Sequence, residues 1–148
     1  SAEVIGLFMC QIMGLPKKAH APAAMQGRAM QYINFIRDIH EDFGFGRQYL
    51  PLENCSLPAY SKSDAESSPD SFRSFIRQEI KRYREWQKEA DKGFQYIPKR
   101  LRIPIRTAAD MYMWTAKKIE KDPFIVFQKK VKPTRAKIFF HILKNIFR

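Results

Sequence analysis

Residues 31–51, QYINFIRDIHEDFGFGRQYLP, carry the pattern that decides the fold. At roughly 100° per residue on a helix, four polar residues fall within an arc of about 80°. Apolar residues fill most of the remaining circumference, which is the reverse of a surface helix. We therefore predict a central helix at about residues 22–43, surrounded by protein, with this polar stripe facing a cavity. The stripe consists of Gln31, Asn34, Asp38 and Asp42.

The two carboxylates of the stripe need a positive partner. Burying an unpaired carboxylate costs several kcal/mol, so a cation is expected beside Asp38 and Asp42. Carboxylate and amide oxygens are hard ligands, and without His or Cys nearby they favour Mg²⁺ over zinc or copper. The alternative is that both aspartates form salt bridges with Arg37 and Arg47 or with another helix.

This segment resembles the second aspartate-rich motif of the squalene and phytoene synthases, Q-x-x-N-x-x-R-D-x-x-E-D followed by G-R-x-Y-x-P. The resemblance implies an all-α, isoprenoid synthase-type helical fold, of which residues 1–148 form the C-terminal part. Ten positions match it: Gln31, Asn34, Arg37, Asp38, Glu41, Asp42, Gly46, Arg47, Tyr49 and Pro51.

The family resemblance also implies an activity and its cofactors. The reaction is Mg²⁺-dependent head-to-head condensation of two prenyl diphosphates, with Mn²⁺ as a substitute metal. A phytoene synthase-like reaction with geranylgeranyl diphosphate is slightly favoured. A squalene or dehydrosqualene synthase-like reaction with farnesyl diphosphate is nearly as well supported, and NADPH is implied only if squalene is formed.

The roles of individual residues follow from the same resemblance. Asp38 and Asp42 are expected to bind the metal. Gln31 and Asn34 orient water, metal or polar substrate atoms, whereas Arg37 and Arg47 offset diphosphate charge. Phe35, Ile39 and Tyr112 are expected to line the cavity, and Tyr112 lies in a matching alanine-rich helix. Lys130 and Arg135 are expected to approach the diphosphate.

The rest of the chain divides into three parts. Residues 1–14 are apolar nearly all round and predict a buried helix. Residues 44–69 are interpreted as a loop, with 46–49 either covering the cavity mouth or lying on the surface and 61–68 as a solvated linker. Residues 70–148 predict helices that begin after Ser68 and Pro69, at about residue 99, and near the C-terminus.

Composition limits the partners and the compartment. The net charge of +12 indicates anionic partners. The basic face of the helix after residue 70 is interpreted as solvated rather than as nucleic-acid binding. Cys10 and Cys55 have no metal or redox spacing, which fits a reducing cytoplasm. No segment is apolar enough to span a bilayer. The final helix is predicted to pack on the bundle, with a peripheral position on an anionic membrane as the alternative.

No second D-x-x-x-D helix accompanies residues 31–51. The family carries an earlier aspartate-rich helix that faces this one, so we expect an N-terminal half on the same or another chain. Without it, this chain should be inactive and should expose a large apolar patch. The alternative is a non-catalytic or half-length subunit that completes a synthase with a partner chain.

Overall fold

The computed structural model describes residues 2–52, 57–59 and 61–148. Helices and turns make up the secondary structure of these ranges, which confirms the all-α prediction. Cys55 lies outside the described residues. Within the described ranges, no helix has the length and hydrophobicity needed to cross a bilayer. The helices are α1 (Ala2–Ile12), α2 (His20–Arg37), α3 (Ile39–Gly44), α4 (Lys62–Ser67), α5 (Pro69–Asp91), α6 (Lys99–Lys121) and α7 (Arg135–Ile146); short 3₁₀ turns span Lys17–Ala19, Phe94–Tyr96 and Pro123–Phe127.

Helix α2 is the centre of the fold, as the sequence predicted. It packs against α1, α5 and α6. Its buried face joins the inner face of α5, whose apolar residues recur at helical spacing. The fully buried side chains of this core include Ile33, Ile36, Phe72, Ile76, Ile80 and Tyr83.

The predicted continuous helix at 22–43 is two helices that meet at Asp38. This residue has φ −98° and ψ 12°, outside helical geometry, and separates α2 from α3. The Asp42 N–H nevertheless donates to the Asp38 carbonyl oxygen at 2.8 Å. The two aspartates are therefore still one helical turn apart, although the helix axis is interrupted between the predicted metal ligands.

Helix α1 corrects one prediction. Although nearly uniformly apolar, it buries only Cys10 among its residues, all of which the structure describes. One side of α1 packs closely on α2: a Cβ on Gly6 would lie 2.1 Å from the Ala23 carbonyl oxygen, and one on Gly27 would lie 2.1 Å from the Ala2 carbonyl oxygen. The remaining faces are exposed. They present Val4, Ile5, Leu7, Phe8, Met9 and Ile12 to solvent.

The C-terminal half is close to prediction, with one exception at its start. Helix α5 begins with Pro69 and α6 covers the predicted range. Ser68 occupies the N-cap position of α5 but its side chain makes no capping bond. The predicted linker at 61–68 contains α4, because the Ser61 hydroxyl accepts a bond from the Asp64 N–H at 3.0 Å and Ala65 is fully buried.

Helix α7 packs on α6, as favoured from the sequence. Its inner side is fixed by Asn145, whose Nδ2 donates to Thr107 Oγ1 at 3.1 Å and to Asp110 Oδ2 at 2.9 Å. The opposite side of α7 stays exposed and apolar. The described residues thus show two unpartnered apolar faces, one on α1 and one on α7.

Candidate functional site

Asp38 lies at the centre of an ion-pair cluster. Arg37 donates to both of its carboxylate oxygens, from Nε at 2.8 Å and from Nη2 at 2.6 Å. Lys130 Nζ lies 3.2 Å from Asp38 Oδ1 and 2.6 Å from Glu41 Oε2. The junction of α2 and α3 therefore meets the basic segment after Phe127, and the salt bridge to Arg37 that the sequence left as an alternative is present.

The two aspartates differ in their ionisation. Burial opposes the charged form of Asp38, but hydrogen bonds and charge from Arg37 and Lys130 outweigh it, so its pKa is lowered. Burial and the nearby charge of Asp38 raise the pKa of Asp42, and Arg47 only partly offsets them. Asp38 is thus an ionised carboxylate whose charge is balanced by Arg37 and Lys130. The surroundings of Asp42, in contrast, disfavour its negative charge. An added cation would be attracted chiefly to Asp42.

Asn34 and Tyr112 meet one turn before the acidic cluster. Asn34 Nδ2 donates to Tyr112 Oη at 3.5 Å, which joins α2 to α6. Asn34 Oδ1 is buried and has no hydrogen-bond partner among the described residues. A buried acceptor without a partner is costly, and a ligand or a cation would satisfy it.

The segment after α3 folds back onto α2. The Tyr49 ring stacks on Phe35 with centroids 4.3 Å apart. Gly46 has φ 69°, a left-handed conformation that glycine adopts without strain, and allows the chain to reverse. The Arg47 guanidinium lies over the Phe45 ring at 5.7 Å. The prediction that residues 46–49 cover the cavity mouth stays a prediction, and the stacking of Tyr49 on Phe35 is consistent with it.

Helix α2 borders two different cavities. Arg37 and Tyr112 line one of about 620 Å³ between α6 and α7, whose other walls are mainly apolar. Gln31 and Phe35 line another of about 480 Å³, together with Tyr32 and side chains of α1 and α5. The structure therefore brings Asp38, Asp42, Arg37 and Lys130 together but places Gln31 at a separate opening.

Two predicted residues are less closely engaged. The Arg47 N–H donates to the Asp42 carbonyl oxygen at 2.9 Å, and the Arg47 guanidinium acts on the Asp42 carboxylate through its charge. Arg135 is exposed at the first residue of α7. Their roles toward diphosphate stay predictions.

The donor set fits part of a magnesium site. Among residues 2–52, 57–59 and 61–148, no three Asp, Glu, His or Cys side chains converge as in a complete metal site. Mg²⁺ is commonly held by one or two carboxylates with substrate phosphates and water. Asp42, Asp38 and the free oxygen of Asn34 supply hard donors of that kind. The residues present fit a metal shared with a phosphorylated ligand.

Sequence reasoning missed two polar networks beside the site. Glu41 belongs to the motif, but the sequence predicts no role for it, because its ion pair with Lys130 spans 89 residues and no local pattern reveals such a contact. Glu79 is buried, accepts a hydrogen bond from Tyr32 and pairs with Arg82 at 3.1 Å. The i,i+3 spacing of Glu79 and Arg82 was the signal that could have identified this pair.

Comparisons with known proteins identify the family of this chain. The squalene/phytoene synthase family profile matches residues 1–137. The 15-cis-phytoene synthase of Synechocystis sp. is 30% identical over 155 residues, covering 94% of this chain and 46% of its own length. The chloroplastic phytoene synthase of an Oncidium hybrid cultivar is 29% identical over 145 residues, covering 92% of this chain and 35% of its own.

A further relative is shorter in overlap but slightly higher in identity. The phytoene synthase of Arthrospira platensis is 32% identical over 106 residues, covering 70% of this chain and 34% of its own length. The chain spans less than half the length of each of these three relatives. No solved structure matches it significantly. The profile match over most of the chain, together with the acidic cluster on a central helix, shows that the chain belongs to the squalene/phytoene synthase family.

Proposed function

We propose that this chain supplies one wall of a Mg²⁺-dependent active site that condenses two prenyl diphosphates head to head. One observation carries the proposal: the acidic and basic cluster at Asp38 adjoins an apolar cavity of about 620 Å³ through Arg37. Charged groups beside an apolar cavity match a ligand with an anionic head and a hydrocarbon chain. The phytoene synthase relatives favour a phytoene-forming reaction, for which the family resemblance implies geranylgeranyl diphosphate, with farnesyl diphosphate as the second candidate.

The polar residues have distinct tasks in this proposal. Asp42 and Asp38 hold Mg²⁺, or Mn²⁺ in its place, and the chemistry the metal supplies when bound is charge neutralisation of the diphosphate leaving group. Arg37 and Lys130 already pair with carboxylates and can also pair with phosphate oxygens, to which Arg binds in a bidentate manner. Asn34 offers its unpaired oxygen to the polar end of the ligand.

The apolar walls protect the reaction from water. Tyr112, Met111 and Ile138 line the cavity beyond Arg37, and water would quench a carbocation formed there. The hydroxyl of Tyr112 is positioned by Asn34 at the boundary between the charged and apolar parts. NADPH enters the proposal only for a squalene-forming reaction.

The proposed site is one wall because the described residues provide a partial metal site. We propose that the opposing ligands come from an N-terminal half, on the same polypeptide or on a partner. A half-length subunit without activity of its own is the second candidate. The exposed apolar face of α1 supports a protein partner, because a patch of this kind marks an interaction surface.

The test combines this chain with the N-terminal half of the Synechocystis relative, Mg²⁺ and labelled geranylgeranyl or farnesyl diphosphate. We expect a condensation product from the combination and none from this chain alone. Asp38→Asn should abolish the product. Asp70→Asn is the matched control, because this carboxylate is almost fully exposed on α5.

Three outcomes decide between the alternatives. Unchanged turnover in Asp38→Asn would reject the metal assignment. Turnover by this chain alone would reject the need for an opposing half. If the two halves associate tightly but give no product with either substrate, the non-catalytic subunit is favoured.

A further inference from the structure

The outer side of α7 is a continuous apolar surface, which we call the α7 outer face. At 100° per residue, its members occupy an arc of about 120°. Phe140 is 67% exposed and Phe147 is 86% exposed, high values for aromatic side chains. The α7 outer face consists of Phe139, Phe140, Leu143, Ile146 and Phe147.

The orientation of α7 is fixed from the other side. Asn145 is buried and bonds to Thr107 and Asp110, while His141 Nδ1 lies 3.4 Å from Asp110 Oδ2. Ile138 and Ile142 border the apolar cavity over α6. Because these contacts anchor the inner side, α7 cannot rotate to bury its phenylalanines without losing its buried hydrogen bonds.

Charge distinguishes the α7 outer face from the apolar face of α1. Residues 123–148 contain no Asp or Glu, and the acidic group packed against α7, Asp110, lies on its inner side. Lys144 follows Leu143 at one border of the face, and Arg135 lies at the other in the helical projection. The cationic residues of this segment are Lys129, Lys130, Lys132, Arg135, Lys137, Lys144 and Arg148.

The exposed apolar face of α1 differs in charge from the α7 outer face. Along the sequence, no Lys or Arg lies closer to Val4–Ile12 than Lys17, and Arg28, which packs at the start of α1, is already paired with Glu3 at 2.6 Å. A neutral apolar face suits a protein partner. Aromatic residues bordered by cations suit an interface where hydrocarbon meets negative charge.

We propose that the α7 outer face docks this protein on an anionic lipid bilayer. The helix lies in the plane of the membrane, with the phenylalanines at the boundary of the acyl chains and the bordering side chains of Arg135 and Lys144 among the headgroups. The family profile ends at residue 137, so most of α7 lies beyond the region that it matches. This docking does not depend on the proposed catalytic function.

The test measures sedimentation of the 148-residue chain with lipid vesicles. Vesicles of phosphatidylcholine alone are compared with vesicles of phosphatidylcholine and phosphatidylglycerol, at low and high salt. We expect binding to the anionic vesicles, weakened by salt because exposed charges are screened. Phe140→Asn combined with Phe147→Asn should lower the bound-to-free ratio at least about tenfold.

Two variants separate specific docking from general stickiness. Phe8→Asn on α1 is the matched control: its ring is 59% exposed, close to that of Phe139, but it has no cationic border. It should change binding less than about twofold if α7 is the docking element. Lys144→Gln should weaken binding to anionic vesicles and leave the weak binding to neutral vesicles unchanged.

Circular dichroism of each variant checks that the helices are retained. The proposal is overturned if the double variant binds as well as the parent, or if neutral and anionic vesicles bind equally. It is also overturned if the parent ignores vesicles and instead self-associates through these phenylalanines, as sedimentation velocity would show. In that case the face joins two copies of the chain.

Discussion

Lys130 Nζ lies 2.6 Å from Glu41 Oε2 and 3.2 Å from Asp38 Oδ1, so one cation bridges both carboxylates. This contact attaches the basic segment before α7 to the start of α3. Hydrogen bonding to Glu41 is the main reason that the pKa of Lys130 is raised. Exposed ion pairs of this type hold position more than they stabilise.

Lys130→Met should raise the pKa of Asp38 toward its ordinary value, because one of the two cations that lower it is removed. The free energy of unfolding should fall by less than about 1 kcal/mol, since Lys130 is exposed. Carboxyl NMR titration and urea unfolding would measure these changes. Lys129→Met, an exposed neighbour, should alter neither; a shifted Asp38 pKa in this control would show that the effect is general electrostatics.

Asp38→Asn and Asp42→Asn should affect stability in opposite directions. The pKa of Asp38 is lowered in the folded state, so its ionised form stabilises the fold above its unfolded pKa, and this contribution is lost as pH falls through the folded value. At neutral pH, Asp38→Asn should therefore lower the free energy of unfolding by about 2 kcal/mol. The loss should shrink in acid.

The pKa of Asp42 is raised, so its contribution is favourable below the unfolded pKa and is lost as pH rises through the folded value. Asp42→Asn should be neutral or slightly stabilising at neutral pH. Urea unfolding at neutral and acidic pH measures both variants. If the two substitutions destabilise equally at every pH, the assigned difference between the carboxylates is wrong.

Gly6→Ala should displace α1 from α2. The new Cβ would lie 2.1 Å from the Ala23 carbonyl oxygen, and backbone cannot yield as a side chain can. We expect a loss of about 1–3 kcal/mol, reduced by the better helix propensity of alanine. Thermal unfolding gives the loss, and hydrogen exchange shows whether α1 is the part that loosens.

Gly44→Ala is the matched control for this substitution. Apart from its chain neighbours and its own helix backbone, no atom of the described residues lies within 4 Å of its new Cβ, and its φ is not positive. Its stability should change by less than about 0.5 kcal/mol. Equal destabilisation by both substitutions would contradict the steric explanation.

Tyr32→Phe should destabilise the core by about 1–3 kcal/mol, because it removes the hydroxyl that donates to the buried Glu79. Burial and Glu79 together raise the pKa of Tyr32 well above its usual range, so the hydroxyl stays protonated as a donor. Tyr49→Phe is the control, since its ring is half exposed and its stacking on Phe35 is retained. A neutral Tyr32→Phe would mean that Arg82 alone satisfies Glu79.

The sequence predicted the elements whose periodicity is local. The inner face of α5, from Phe72 to Ala90, is buried as expected, and α6 has the expected range. Periodicity could not reveal that α1 leaves most of its apolar surface exposed, because burial depends on what else packs against a helix. The break at Asp38 was missed for a similar reason: no Gly or Pro marks it.

The candidate site was predicted in composition more than in geometry. The motif identified Asp38 and Arg37, and the resemblance of the basic segment after Phe127 added Lys130; the structure brings these three side chains together. Gln31 shares a helical face with Asn34 in projection, yet Gln31 borders a cavity beside α1 and α5, whereas Asn34 contacts Tyr112 of α6. A projection records direction around one helix and contains no information about adjacent helices.

The glycine contact between α1 and α2 fixes the separation of these two helices beside a cavity whose other walls include flexible side chains. Gly6 and Gly27 set the helix separation by main chain alone, so exchange of side chains cannot narrow it. This cavity of about 480 Å³, distinct from the one that Gln31 and Phe35 line, lies beside these glycines. Its lining includes Met9, Met13 and Met30. Methionine is unbranched and adapts its shape readily. Rotation of three flexible thioethers can therefore change the shape of this cavity, while the main-chain contact of α1 with α2 beside it stays fixed.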